Sequence, residues 1–225
     1  MRFAAILFDF DGVLLESEYA GNRHLAEYLT ASGHPISPAE AMERFMGLAG
    51  QEFLDAIERW TGRPLGPDFQ EAREIENQRV LRDGVDPVIG AAAFVGALPT
   101  TLPRAICSSS TTRWIRTHLD HLGLRDAFEP HIYSGREHVA RGKPAPDIYL
   151  HAAERLGVAI GDCIIIEDSP VGATGAVASG ARVIGLCAGR HCPPDHGATL
   201  RRIGVHEVAA DFAEVARMIG LSPAS

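Results

Sequence analysis

Five short apolar runs, separated by stretches with helical periodicity, are the feature that most constrains how this chain folds. None of them alternates strictly between apolar and polar residues, which is typical of parallel strands buried on both faces. The runs are Phe3–Phe8, Arg104–Cys107, His131–Tyr133, Cys163–Ile166 and Ala181–Leu186. Helical spacing between them, as in 111–122 and 146–156, predicts βαβ units and hence an α/β fold with a parallel sheet.

Residues 15–86 differ from the rest of the chain because they contain apolar helical faces and no convincing strand pattern. Leu25 and Leu29 lie on one such face, and Phe53 and Ile57 lie on another. Turns rich in glycine and proline separate these faces. We therefore predict an all-helical domain at 15–86, inserted into a core formed by 1–14 and 87–225.

Composition excludes several classes of protein. Hydrophobic residues make up 46% of the 225 residues and charged residues 22%, which is ordinary for a globular protein. The net charge of −8 offers no basic surface for nucleic acid or an anionic membrane. No stretch approaches the roughly 20 apolar residues that span a bilayer, and the four cysteines form no CxxC pair. We expect a soluble cytoplasmic monomer without a nucleic-acid or membrane partner.

Two predicted strands end in pairs of acidic residues. Asp9 and Asp11 follow the first run and point the same way in an extended chain, and Glu167 and Asp168 follow the fourth. Each pair alone also fits a purely structural role, since Asp-Gly ends many strands and Asp168 could cap a helix. The carboxyl ends of parallel strands, however, meet in one crevice. Four acids there require a hard cation, for which oxygen ligands favour Mg²⁺.

A serine and a lysine fit the same crevice. Ser108 ends a third strand, where its hydroxyl and the backbone amides that follow, beginning with Ser109, could bind phosphoryl oxygens. Lys143 stands between Gly142 and Pro144 and could neutralise both a phosphate and a carboxylate. Taken singly, each is more often a turn residue or a solvated cation. Their order along the chain, together with the acids, favours a phosphate site.

These motifs, in this order, resemble the haloacid dehalogenase superfamily. The resemblance rests on D-x-D-G, strand-Ser, G-K-P-x-P-D and E-D-S-x-x-G, and it covers about residues 3–190. The inserted helices resemble the cap of the phosphoglycolate phosphatase/β-phosphoglucomutase-like branch. The resemblance implies a Rossmann-like core with a helical cap and a Mg²⁺-dependent phosphatase. It also implies a small phosphorylated metabolite as substrate, such as a sugar phosphate or a compound like phosphogluconate.

The resemblance also implies roles for the acids. Asp9 would be the nucleophile that forms an aspartyl-phosphate, and Asp11 would act first as general acid and then as general base. Asp9, the backbone carbonyl of Asp11, and Asp168 would bind Mg²⁺. Glu167 would bind it either directly or through water.

The same resemblance assigns the substrate contacts. Ser108, Ser109 and Lys143 would hold the phosphoryl group. In the helical insertion, the sequence GLAGQEF, beginning at Gly47, is a candidate for a loop that faces the substrate.

Other functions within the superfamily remain as alternatives. The dehalogenases and phosphonatases lack an aspartate at the position of Asp11, so neither activity is favoured. A catalytically silent binding protein would be expected to lose the Asp9–Asp11 pair or Lys143, and all three are present.

A sugar-phosphate mutase is the main alternative to a phosphatase. The resembling β-phosphoglucomutases carry a histidine and an arginine in the cap, and these positions fall on Gly21 and Gly50 here. Neither glycine supplies a cation, although Arg23, His24 and Arg44 are close in sequence. Net hydrolysis is therefore the prediction.

Two further features have plain interpretations. The segment CAGRHCPPDH (187–196) gathers two cysteines and two histidines, but their spacing matches no standard zinc site. We interpret it as a proline-containing loop. Trp114 keeps the helical spacing of its neighbours and is interpreted as a core residue.

Overall fold

The computed structural model describes residues 3–46, 48 and 50–221, which divide into two compact units. One unit contains the chain up to Glu16 and the segment from Asp86 onward, and the other contains Ser17–Val85. The first unit holds a sheet with its flanking helices, and we call it the core. The second is built from helices, and we call it the helical unit.

Six parallel strands form the sheet of the core, in the order β3-β2-β1-β4-β5-β6. They are β1 (Ala5–Phe8), β2 (Arg104–Ser108), β3 (Ile132–Ser134), β4 (Cys163–Glu167), β5 (Arg182–Leu186) and β6 (Glu207–Ala209). Almost every strand residue is buried, as expected when helices cover both faces of a parallel sheet. The predicted α/β class and its five strands are confirmed. The sixth strand, Glu-Val-Ala, is too short and too polar for an apolar run to reveal it.

The register of β1 places the chemistry-bearing loops at one edge of the sheet. This strand lies between β2 and β4, with Leu7 opposite both Ala105 and Ile165. Its four residues are fully buried. The residues that follow β1, β2 and β4 therefore emerge next to one another at the carboxyl ends of the strands.

Within its described residues, the helical unit contains four helices and no strand. They are α1 (Ser17–Ala31), α2 (Pro38–Phe45), α3 (Gly50–Thr61) and α4 (Pro67–Asp83). Leu25, Leu29, Phe45, Ile57 and Phe69 meet in its apolar core. The all-helical insertion is confirmed.

Seven α-helices belong to the core unit within the described part of the chain, together with one short 3-10 helix at Ile160–Asp162. The α-helices are α5 (Ala91–Ala97), α6 (Thr112–Leu122), α7 (Arg125–Phe128), α8 (Asp147–Leu156), α9 (Pro170–Ala178), α10 (His196–Ile203) and α11 (Phe212–Met218). Thr111 and Ser169 cap α6 and α9 with their hydroxyls, which accept the backbone N–H of Trp114 and Gly172. Across the residues that the structure describes, we find no helix with the length and apolar character needed to cross a membrane.

Helix α9 is rich in small residues because it packs directly on other backbone. A Cβ added at Gly175 would lie 2.9 Å from the carbonyl oxygens of Pro144 and Ala145. This close approach seats the segment that carries Lys143 against α9.

Candidate active site

Three buried carboxylates converge where β1 and β4 end. Asp9 is the first residue after β1, Glu167 is the last residue of β4, and Asp168 follows it. Each offers an oxygen that lies within 4.8 Å of the others, and all three residues are buried. The sheet brings them together because β1 and β4 are neighbouring parallel strands.

Lys143 reaches this carboxylate cluster (Asp9, Glu167 and Asp168) from the loop before α8. Its Nζ donates to Asp9 Oδ1 and to Glu167 Oε1, each at 2.6 Å, and its side chain is only 4% exposed. Burial alone would lower the pKa of Lys143, but the carboxylates of Asp9 and Glu167 raise it well above its usual range. Lys143 is therefore a charged ammonium that bridges two acids.

Burial also acts on Asp9. It raises the pKa of this carboxyl well above the ordinary value, Lys143 opposes the shift, and Glu167 and Asp168 add to it. Full ionisation of these three acids beside one ammonium would leave two negative charges in a buried space, which a further cation would offset. This oxygen-only set with that charge fits a hard divalent cation such as Mg²⁺.

Four donors hold the carboxylate of Glu167. Its Oε1 accepts from Lys143 Nζ and from the Tyr149 hydroxyl at 2.9 Å, and its Oε2 accepts from the backbone N–H and the hydroxyl of Ser169. A Cβ added at Gly172 would lie 1.6 Å from Oε1, so α9 must carry glycine there. Protein donors thus occupy both oxygens of this carboxylate.

Asp11 stands apart from the carboxylate cluster and has partners of its own. Its Oδ2 accepts from the hydroxyls of Ser108 at 3.1 Å and Ser110 at 2.7 Å, and its Oδ1 accepts from Trp114 Nε1 at 3.0 Å. Gly12, which follows, has a φ of +84°, a conformation that favours glycine. The end of β2 and the first turn of α6 therefore hold the second aspartate of the D-x-D-G motif.

Most predicted site residues come together in the core. Asp9, Glu167, Asp168 and Lys143 form one contact network, and Ser108 joins Asp11 beside it. Ser109 is exposed, and its two neighbours make the contacts to Asp11 instead. Gly47 lies outside the described residues.

Several residues that contact the site were not predicted from the sequence. Trp114, interpreted as core packing, is half-buried and donates to Asp11. Ser110 and Tyr149 also bind site carboxylates, and Tyr149 follows directly after Ile148 on the predicted inner face of α8. His191, in the loop with two cysteines, lies 2.8 Å from Asp168. Only the helical face of α8 offered a signal, because the other contacts depend on how distant segments pack.

Comparison with known proteins identifies a single family. A family model described as haloacid dehalogenase-like hydrolase matches residues 3–180. The 6-phosphogluconate phosphatase of Escherichia coli (strain K12) is 27% identical over 86% of this chain and 86% of its own length. The fructose-1-phosphate phosphatase YqaB of the same organism is 30% identical over 80% of this chain and 94% of its own length.

A solved structure extends the similarity to the whole fold. The HAD family hydrolase from Deinococcus radiodurans R1, with bound phosphate and sodium, is 34% identical to this chain. It aligns with a TM-score of 0.87 and covers 99% of both chains. The similarity therefore includes nearly every residue of the two units.

Proposed function

This chain belongs to the haloacid dehalogenase-like hydrolase family, and from that premise we propose a Mg²⁺-dependent phosphatase that forms an aspartyl-phosphate on Asp9. Its relatives are named as phosphatases, and it is a phosphoric monoester hydrolase. The proposed mechanism rests mainly on the surroundings of Asp9. Its carboxylate lies directly after a buried strand, is hydrogen-bonded to Lys143 and is close to two further acids.

The proposed substrates are small sugar phosphates or phosphorylated sugar acids. Two relatives are named for 6-phosphogluconate and fructose 1-phosphate. The helical unit contains a partly open cavity of about 250 Å³ whose lining mixes aromatic, polar and charged side chains. Phe53 and Phe69 line it together with Arg73, whose guanidinium stacks on both rings, and with Asn77. Such a lining supports a small hydroxylated organic group.

The oxygen atoms that follow β1 and β4 indicate which residues would hold the metal. Asp9, Asp168 and the backbone carbonyl of Asp11 would bind Mg²⁺ directly. Glu167 would act through water, since protein donors occupy both of its oxygens. When bound, Mg²⁺ would supply positive charge to the phosphoryl oxygens and to the Asp9 carboxylate.

In the first step Asp9 attacks phosphorus. A bond forms between an Asp9 carboxylate oxygen and phosphorus while the bond to the leaving alkoxide breaks. The Asp11 carboxyl donates its proton to that oxygen, so a neutral alcohol departs. Lys143 and the Ser108 hydroxyl would bind the phosphoryl oxygens and offset their charge.

In the second step water attacks the phosphorus of the aspartyl-phosphate. Asp11, now a carboxylate, takes the proton of this water, and the bond between phosphorus and Asp9 breaks. Inorganic phosphate leaves, the Asp9 carboxylate is restored, and Asp11 carries a proton for the next turnover. Ser110 and Trp114 orient Asp11 through both steps, and the Ser108 hydroxyl, which contacts Asp11 in this structure, is the donor that turns to the phosphoryl group.

A panel of phosphorylated metabolites tests the proposed function. We expect phosphate release from sugar or sugar-acid phosphates with Mg²⁺, and we expect a chelator to abolish it because three carboxylates lose their counterion. Released phosphate is measured for each compound with Mg²⁺ and with chelator. Equal rates in both conditions would overturn the metal dependence, and no release from any phosphate ester would favour a silent binding protein.

The same panel distinguishes a phosphatase from a mutase. β-Glucose 1-phosphate is supplied with a trace of the corresponding bisphosphate, and both products are followed. Because glycine occupies positions 21 and 50, we expect free phosphate to form faster than glucose 6-phosphate. The opposite order would assign a mutase.

A Trp114→Phe variant tests the orientation of Asp11. Phenylalanine keeps an aromatic ring against His118, whose ring lies 4.1 Å from that of Trp114, but it removes the N–H that binds Asp11. A hydrogen bond to a charged group is worth about 1.5–3 kcal/mol, so kcat for alkyl phosphates should fall roughly tenfold or more with little change in KM.

The control for this variant is Trp60→Phe in α3, the other tryptophan of the chain, which should keep the wild-type kcat. Departure of p-nitrophenolate needs no proton from Asp11. The variant should therefore slow the first step less with p-nitrophenyl phosphate than with alkyl phosphates. An unchanged kcat for alkyl phosphates in Trp114→Phe would contradict the orienting role.

A further inference from the structure

The loop between β5 and α10, which joins Leu186 to His196, brings two imidazoles onto Asp168. His191 Nε2 lies 2.8 Å from Asp168 Oδ2, and His196 Nε2 lies 2.6 Å from the backbone carbonyl oxygen of the same residue. Both histidines and Asp168 are buried. One residue of the carboxylate cluster is thus held at its side chain and at its backbone by the same loop.

We propose that His191 and His196 are positioning residues that fix Asp168 in the orientation in which it binds the divalent cation. This inference rests on the proposed function, in which Asp168 is a ligand of Mg²⁺. A histidine that hydrogen-bonds a metal-binding group restricts its rotation and holds its ligand atom in place before the metal arrives.

The direction of the hydrogen bonds follows from the atoms involved. A carbonyl oxygen only accepts, so His196 Nε2 carries the hydrogen. The Asp168 carboxylate likewise accepts from His191 Nε2, and this bond limits rotation of the carboxylate about its Cβ–Cγ bond.

Close packing leaves the His191 ring little space to move. A Cβ added at Gly189 would lie 2.4 Å from both Cε1 and Nδ1 of this ring. A Cβ added at Gly12 would lie 2.1 Å from Asp168 Oδ2 and 3.0 Å from His191 Cε1. The two glycines therefore allow the loop and the D-x-D-G turn to close on either side of the histidine–aspartate pair.

A second contact anchors the loop to the start of the chain. The backbone N–H of Arg190 donates to both carboxylate oxygens of Glu16, at 3.0 and 3.2 Å. Glu16 is only 1% exposed, so this bond is shielded from water. The loop is thereby fixed beside the turn that follows Asp9 and Asp11.

The loop supplies orientation and not a separate zinc site. Among the residues described in the structure, one group of at least three acidic, histidine or cysteine side chains could hold a metal, and it consists of Asp9, Glu167 and Asp168. His191 and Cys192 lie outside that group. The histidines of the loop therefore act on a ligand rather than on a metal of their own.

Binding of Mn²⁺, measured without turnover, tests this inference. Mn²⁺ takes the same oxygen ligands as Mg²⁺, and its free form is quantified by electron paramagnetic resonance. His191→Leu removes the donor, and we expect the affinity for Mn²⁺ to fall about 10- to 100-fold. His191→Gln, whose amide N–H can replace Nε2, should restore an affinity close to that of the wild type. His121→Gln on α6 is the matched control and should bind as the wild type does.

A second variant keeps every donor and crowds mainly the His191 ring, with a looser contact to the Gly12 carbonyl oxygen, 3.2 Å from the added Cβ. Gly189→Ala places a methyl group against His191 and should weaken Mn²⁺ binding in the same direction, so the test does not depend on the folding of His191→Leu. Near-ultraviolet circular dichroism confirms the fold of each variant. If His191→Leu and Gly189→Ala, where folded, bind Mn²⁺ as tightly as the wild type does, the positioning role is overturned and the proposed metal site is not. Absence of Mn²⁺ binding by the wild type would overturn the proposed metal site itself.

Discussion

An Asp9→Asn variant is expected to lose turnover by about 10⁶-fold, the order of loss seen when a covalent nucleophile is removed from a hydrolase. An amide oxygen is a far weaker nucleophile than a carboxylate and a weaker ligand for a divalent cation. Phosphate release from the preferred substrate measures the effect. Asp126→Asn on the surface helix α7 is the matched control and should turn over at the wild-type rate. Activity of Asp9→Asn near that of the control would contradict the mechanism.

The same variant should remain folded, which separates chemistry from stability. Burial raises the pKa of Asp9, so above about pH 3.9, the ordinary aspartate pKa, its ionisation favours the unfolded chain. A neutral amide removes that penalty, and Glu167 still binds Lys143 at 2.6 Å. We therefore expect the Tm of metal-free Asp9→Asn at neutral pH to equal or exceed that of the wild type, and added Mg²⁺ to raise the Tm of the wild type more.

An Asp11→Asn variant should slow the hydrolysis of alkyl phosphates by about 10²–10⁴-fold, the usual contribution of general acid–base catalysis. Binding of inorganic phosphate should change little, because Lys143 and the carboxylate cluster remain in place. The asparagine cannot protonate a departing alkoxide or take a proton from water. Steady-state kinetics on an alkyl phosphate and on p-nitrophenyl phosphate measure the loss, and an unaltered kcat on the alkyl ester would contradict the role of Asp11.

The topology of the sheet explains why much of the site was predictable. Asp9 and Asp168 each follow a buried apolar strand, and parallel strands that neighbour one another must end at the same edge. The sequence shows both strand ends, so the convergence of the acids follows without knowledge of side-chain geometry. Lys143 was predictable only in combination with them, because a lysine in a loop carries no signal of its own.

The remaining contacts depend on packing between segments that are distant in sequence. Trp114 meets Asp11 only because the first turn of α6 follows β2 at the edge where β1 also ends. His191 meets Asp168 through a loop whose path is set by Gly12 and Gly189. No spacing of residues in the sequence predicts either contact. A tryptophan and a histidine at such positions are indistinguishable from core and loop residues until the chain is folded.

The way in which Glu167 would bind the metal also depends on contacts that the sequence does not show. Its place after an apolar strand predicts an acid at the site, but the choice between direct and water-mediated metal binding depends on its other partners. In the fold, Tyr149 and Ser169 occupy its oxygens together with Lys143. Those partners favour the water-mediated arrangement and give Glu167 the further task of holding the Lys143 ammonium.

The covalent intermediate on Asp9 is tested most directly in the Asp11→Asn protein with p-nitrophenyl phosphate and Mg²⁺. This leaving group needs no proton, so the first step proceeds, whereas the second lacks its base and the intermediate accumulates. The reaction is quenched in acid and the protein is digested and weighed by mass spectrometry. We predict one phosphoryl group on the peptide that contains Asp9, formed with one equivalent of p-nitrophenolate per chain. Continued release of p-nitrophenolate with no phosphoryl group on that peptide would contradict the mechanism.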